Sequence, residues 1–209
     1  MKKLLIIGAG GHGRVVADSA ESTKKYQEIA FLDDCFSQRK KNHHWSIIGA
    51  VDTWSQYVDQ VDFIIAFGNN VLRLNITREL LSAGILPVNI IHPSAIISPH
   101  VTLGHGNVVF ANAVINIGAK LADACIINTA ATVDHDCHIH SGVHISPGAH
   151  LAGGVTVGEL SWLGIGSSIN ECLTLAKQTQ VGAGAAVIND TTADSLYLGI
   201  PAKRYRNEK

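Results

Sequence analysis

From Ile91 to Val187 every sixth residue is Ile, Leu or Val: Ile91, Ile97, Leu103, Val109, Ile115, Leu121, Ile127, Val133, Ile139, Ile145, Leu151, Val157, Leu163, Ile169, Leu175, Val181 and Val187. A second column, four residues after each aliphatic, is mostly small: Ala95, Val101, Asn107, Ala113, Ala119, Cys125, Ala131, Cys137, Val143, Ala149 and Val155, then Ser161 and Ser167. Period six is neither the 3.6 of a helix nor the 2 of a strand. It fits a short strand and a tight turn, repeated. The large aliphatics then point inward from flat faces and the small residues fill crowded corners. One such rung cannot bury its apolar side chains alone, whereas stacked rungs can, with parallel backbone ladders about 4.8 Å apart.

Composition narrows the function classes. Lys and Arg number 16 against 17 Asp and Glu, a net charge of -1, so no basic excess points to nucleic acid or to an anionic membrane. No apolar run reaches the roughly 18 residues a spanning helix needs. The opening Lys2-Lys3-Leu4-Leu5-Ile6-Ile7 is too short for a signal peptide and meets a glycine loop at once. Cys35, Cys125, Cys137 and Cys172 form no CxxC pair, which fits reduced thiols and a cytoplasmic chain without membrane insertion. Cys125 and Cys137 fall in the small-residue column and read as buried packing residues.

The first ninety residues follow another rule. Lys3–Ile7, Ile29–Leu32 and Val61–Phe67 read as strands, and Arg14 to about Lys25 and Val71–Ala83 as helices. The alternation predicts a small parallel α/β domain over residues 1–88, followed by the repeat domain over 89–209. Asp33–His44 is polar and reads as a loop. Gly8, Gly10 and Gly13 match G-x-G-x-x-G, with Asp33 twenty residues after Gly13. This pattern puts backbone N–H groups at a helix N-terminus, where they bind phosphate, and favours a nucleotide. A dehydrogenase is disfavoured, because the α/β segment lacks the second half of a dinucleotide fold and the repeat supplies no hydride-acceptor pocket. A glycine turn needed only for close packing is the alternative.

Histidines are abundant, 11 in all. His138, His144 and His150 occupy equivalent places in consecutive hexads; in a three-sided coil, which the family resemblance given below implies, they would lie on three different corners. They cannot converge on one metal, and no metal site is expected. His135 lies two residues after the inward Val133 and should face outward beside Asp136.

Taken together, Gly8–Gly13, Leu32-Asp33-Asp34, Gly68-Asn69, Ile126-Ile127-Asn128-Thr129, His135-Asp136-Cys137 and Leu198-Gly199-Ile200-Pro201-Ala202-Lys203 resemble the PglD/NeuD-like acyltransferases. The resemblance implies a Rossmann-like α/β domain followed by a left-handed parallel β-helix with three hexads per turn. It also implies acetyl transfer from acetyl-CoA to the 4-amino group of a UDP-linked amino-deoxy sugar for surface glycans. His135 would be the general base and Asp136 would orient it; the family often has Glu there. Asn128 would lie near His135 and position substrate. His144, Gly153, Ile165, Ala183, Gly184 and Lys203 would meet acetyl-CoA, with Arg204 a further phosphate contact. Gly10, Gly11 and His12 would hold the diphosphate, Asp33 and Asp34 the uridine, and Gly68 and Asn69 the substrate side. Cys35 stands where members often carry a basic residue. Arg73 reads either as a further substrate-side residue or as a helix-surface charge. The same resemblance implies a homotrimer with the acetyl-CoA cleft between subunits. O-acetylation of sialic acid or another sugar, and a non-catalytic nucleotide-binding assembly module, are the competing readings.

Overall fold

The computed structural model describes residues 2–205. Its N-terminal part is a five-stranded sheet. β1 (Lys2–Ile7) lies between β2 (Tyr26–Leu32) and β5 (Asp62–Ile65), and β2 pairs on its other side with β4 (Trp45–Gly49), all parallel. β3 (Lys41–Asn42) adds antiparallel to β4 and closes that edge. The segment read as a loop over Asp33–His44 therefore holds a 3-10 turn, Asp34–Ser37, and one arm of a hairpin. The sequence reading also missed β4, whose alternating burial is carried by Trp45, Ile47 and Gly49. α1 (Gly11–Ser22) begins three residues, and α2 (Asn70–Ser82) one residue, before the apolar periodicity suggests.

The turn between β1 and α1 is tight for a steric reason. Gly8 sits at φ +108°, where a β-carbon is strained, and a β-carbon on Gly13 would come within 2.0 Å of the Gly8 carbonyl oxygen. Helix and strand can approach this closely only because both residues are glycine. α1, with Val16, Ala17 and Ala20, covers one face of the sheet together with the outward residues Val108, Phe110 and Ile126 of the repeat region. The small domain thus shares a core with the coil it precedes.

The repeat forms three parallel ladders. The first face stacks Ile90–Ile91, Val108–Val109, Ile126–Ile127, His144–Ile145, Trp162–Leu163 and Gln180–Val181, the second runs from Ile96–Ile97 to Ala186–Val187, and the third from Thr102–Leu103 to Thr174–Leu175. Each strand pairs with the one eighteen residues on, as Val114 with Thr132 and Ile115 with Val133, so three hexads make one turn. The inward aliphatics form a single column with the small corner residues, Ile145, Leu163 and Leu175 being fully buried. Each such side chain contributes about 1.5–3 kcal/mol by leaving water. From Val109 onward the residue three before each inward aliphatic turns the corner with positive φ, among them Asn112, Gly118, Ala124, Ala130, Asp136, Gly142 and Gly148 in succession. This left-handed column was not read from the sequence, because alanine and leucine occupy it as well as glycine and Asn/Asp. After Val187 the period lapses. Leu196–Leu198 pairs with Gln180–Val181 sixteen residues back, and Lys203–Arg204 returns antiparallel against it.

Candidate active site

His135 lies in the turn between the second and third faces, with its side chain 58% exposed. Its Nδ1 is 2.9 Å from Asp136 Oδ2. Asp136 occupies the left-handed corner position, φ 58°, a conformation Asp tolerates better than most residues. Asp134 fixes the other side: its Oδ1 accepts from the His135 backbone N–H at 2.7 Å and from Asn116 Nδ2 at 2.7 Å. The Asp136 hydrogen bond, opposed by slight desolvation and helped by the charge of Asp134, raises the His135 pKa above its ordinary value. The ring lies over Gly153, one coil up: a β-carbon built there would be 2.4 Å from Nε2 and 2.5 Å from Cε1. A ring whose Nδ1 faces a carboxylate and whose Nε2 faces outward can accept a proton at Nε2.

A second polar group lies elsewhere on the prism. His144 is on the first face, where Asn128 Nδ2 lies 3.1 Å from its Nε2 and the Trp162 ring stacks on it, centroids 5.1 Å apart. His12, from the first turn of α1, approaches from the small domain, 6.4 Å from His144 and edge-on to Phe110 at 5.6 Å. Burial, then the Arg73 charge, lowers His12 to about 4; burial, Arg73 and then His12 lower His144 to about 3. Both imidazoles are therefore neutral, and His12 Nε2 and His144 Nδ1 have no partner among the described residues. Neutral imidazole nitrogens in that state can donate to or accept from a bound molecule.

The glycine loop is held from outside. Asp33 accepts from Ala9 N at 2.6 Å and from Cys35 N at 2.9 Å, Asn42 Nδ2 donates to the carbonyls of Ala9 and Gly10, and Arg39 Nη2 donates to Ala9 O. Burial opposes ionisation of Asp33, but the Cys35 side chain, these N–H donors and Arg39 outweigh it and hold its pKa down. Gly10 and Gly11 are exposed with open space where a side chain would stand. Asp34 Oδ1 caps Val51 N. Asn69 caps α2 through Leu72 N and borders a cleft of about 510 Å³ that Trp162, Gln180 and Leu196 also line. Ile165, Ala183 and Gly184 are exposed at the corner between the first and second faces, with Gly184 N donating to Ile165 O, and Lys203 is exposed on the terminal hairpin.

Several expectations are corrected by this geometry. Asn128 does not neighbour His135; the second face separates them, and its partner is His144. His138, His144 and His150 lie on three faces rather than three corners, each as the outer residue of a two-residue strand. Among the described residues, no group of three or more His, Cys, Asp or Glu could hold a metal ion. Arg73 is neither a surface charge nor open to substrate; it is fully buried at the junction of the two parts. Cys125 and Cys137 are buried as read, their thiols pushed up to about 12 and about 11 chiefly by burial. Trp162, Arg39 and Asn42 went unnoticed because only the fold brings them to the site.

An α/β nucleotide-type domain docked on a parallel β-helix that presents an imidazole–carboxylate pair defines a hexapeptide-repeat acyltransferase. Residues 3–80 match the PglD N-terminal domain family. The structure is similar to the acetyltransferase domain of PglB from Neisseria gonorrhoeae FA1090 in complex with acetyl coenzyme A: 41% identity, 98% of this chain and 99% of that one, TM-score 0.94. It is also similar to PerB from Caulobacter crescentus in complex with CoA and GDP-perosamine, at 35% identity over 99% of this chain and 98% of that one, TM-score 0.92. A UDP-N-acetylbacillosamine N-acetyltransferase of Bacillus subtilis (strain 168) is 35% identical over 113 residues, 53% of this chain and 52% of that protein. The matched stretch thus spans about half the length of the curated relatives. The chain belongs to the PglD-like sugar acyltransferases. Among the described residues, no helix is long and apolar enough to cross a membrane.

Proposed function

We propose that this protein transfers an acetyl group from acetyl-CoA to the 4-amino group of a UDP-linked amino-deoxy sugar, by direct attack with His135 as general base, in surface-glycan synthesis in the cytoplasm. The observation that carries this reading is the His135–Asp136 pair, with Nδ1 held at 2.9 Å by the carboxylate and Nε2 free above Gly153. Nε2 removes the proton as the amine attacks the thioester carbonyl; the C–S bond then breaks, and the imidazolium returns the proton to sulfur so that CoA leaves as the thiol. In this reading the Gly153 N–H donates to the carbonyl oxygen as it gains charge; one such donor is worth about 3 kcal/mol in a transition state. In this reading Gly10, Gly11 and His12 hold the diphosphate, Asp33 and Asp34 the nucleoside, and Gly68, Asn69 and Asn128 the sugar side. His144, Gly153, Ile165, Ala183, Gly184 and Lys203 meet acetyl-CoA.

The separation of His135 from the His12–His144 group on the prism supports a site shared between copies. A homotrimer, with His135 of one chain facing the small domain and His144 of the next, unites them. Light scattering at three times 22.2 kDa is the expected result.

The relative bound to GDP-perosamine favours one second reading, a GDP-linked 4-amino sugar as acceptor. Thiol release from acetyl-CoA, measured with UDP- and GDP-linked 4-amino sugars and with sialic acid, tests the proposal. Turnover with UDP-4-amino sugars, lost in His135→Ala, is expected. Turnover only with sialic acid, or unchanged turnover in His135→Ala, overturns it.

A further inference from the structure

Arg73 is buried to 0% exposure, and no carboxylate among the described residues forms an ion pair with it. Its donors all go to neutral oxygens. Nε donates to Ala124 O at 2.8 Å, Nη2 to Gly142 O at 2.9 Å and to Asn70 Oδ1 at 2.9 Å, and Nη1 to Phe67 O at 2.9 Å. Asn70, one turn earlier on α2, donates Nδ2 to Leu160 O at 3.2 Å and Ser161 O at 3.1 Å. Ala124, Gly142 and Leu160 are eighteen residues apart and all hold the left-handed corner conformation. Two side chains of one helix therefore grip the same corner carbonyl in three successive coils. Small residues let the helix come this close: a β-carbon on Gly142 would meet Leu74 Cδ2 at 3.2 Å, and Gly106, one coil below Ala124, faces Thr77 Cγ2 at 3.7 Å from where its own β-carbon would be.

A buried guanidinium without a counter-charge costs several kcal/mol unless its hydrogen bonds are met. Here they are met by a set of carbonyls that belongs half to the Phe67–Gly68 turn and half to the coil. That turn leads into Asn69, on the substrate side of the proposed reaction, and Gly142 is two residues before His144. The same guanidinium thus ties the two places where the proposed substrates would be held.

We propose that Arg73, with Asn70, is a positioning residue for acetyl transfer: its fork sets the height of the Phe67–Asn70 turn along the prism, and so the place of the nucleotide sugar relative to His144. The proposal rests on the function proposed above. A planar fork can span two carbonyls one coil apart and a third across the junction, whereas an ammonium is a single point. Arg73→Lys keeps the charge and loses the span.

The test is the steady-state kinetics of Arg73→Lys and Asn70→Ala, assayed well below their melting temperatures, together with the crystal structure of Arg73→Lys. The expected result for Arg73→Lys is a fall of about tenfold or more in kcat/KM for the nucleotide sugar, as displacement of a bound group by about 1 Å costs up to a hundredfold. The KM for acetyl-CoA should stay within about twofold, and Asn70→Ala should show the same split more weakly. A lower melting temperature with unchanged kinetic constants in the folded variants would make Arg73 merely structural and overturn the proposal. With the coils superposed, the Phe67–Asn70 turn should be displaced in Arg73→Lys; an unmoved turn overturns the proposal as well. Absence of turnover by the unaltered protein with every nucleotide amino sugar refutes the proposed function instead, and the superposition still decides whether Arg73 sets the turn.

Discussion

Gly153→Ala separates the chemistry of His135 from the stability of the coil. The added methyl carbon would stand 2.4 Å from His135 Nε2, 2.5 Å from Cε1 and 3.0 Å from Cδ2. Carbon-sized atoms in contact sit about 3.5–4.0 Å apart, so the ring must retreat by about 1 Å or more. Gly153 is not at positive φ, so alanine strains no backbone there. The imidazole is half-exposed and can swing outward, so the coil should barely feel the change. Its bond to Asp136 and its aim do not survive the swing. A displacement of about 1 Å costs about a hundredfold in rate, or about 2.7 kcal/mol of transition-state stabilisation. The assay is thiol release from acetyl-CoA under saturating nucleotide sugar, with thermal unfolding in parallel. The expected outcome is an activity near that of His135→Ala, an unchanged melting temperature, and no further loss in the double variant, since both changes act through one ring. Full activity in Gly153→Ala would refute the placement of the ring as the reacting group. A large loss of stability would refute the argument that the ring, and not the backbone, absorbs the methyl.

Three further outcomes follow from the same geometry. In Asp136→Asn the charged carboxylate acceptor that raises His135 becomes a neutral amide, so the acid limb of the kcat/KM profile should move to lower pH and the plateau should fall by about tenfold; an unmoved limb would deny Asp136 its part in tuning the ring. His12 and His144, lowered to about 4 and about 3, take up protons near 6.5 only when unfolded, so their contribution is complete above that pH and falls away as pH drops toward their folded values. Between pH 7 and pH 5 this removes about 2 kcal/mol each, and His144→Gln should remove about half of that dependence in urea unfolding. Gly13→Ala drives a β-carbon to 2.0 Å from the Gly8 carbonyl, a backbone atom that cannot rotate away, and should cost about 1–3 kcal/mol; an unchanged melting temperature would show that the loop is not tightly packed.

The coil was legible because one rule writes it seventeen times, and the same rule sent His135 outward. The two residues following the inward Val133 leave the face and enter the corner, so the pair with Asp136 was readable as well. Asn128 was misplaced for the same reason. Seven residues along a chain that turns every six carries it across a whole face, and sequence nearness was taken for nearness in space. The strand β4 was missed because its few residues alternate too briefly within a polar hairpin.

The amino-acid sequence alone determined a coil of stacked six-residue rungs, since one rung cannot bury its aliphatics and stacked rungs can, and it determined the glycine-tight turn that opens the small domain; that three rungs close one turn is seen in the pairing of strands eighteen residues apart. The tertiary structure alone decided how the two parts meet. The oxygens that Arg73 and Asn70 grip are backbone carbonyls, which every residue possesses and no residue type announces. Only their stacking at one edge of the coil turned a charge that looked solvated into a buried clamp.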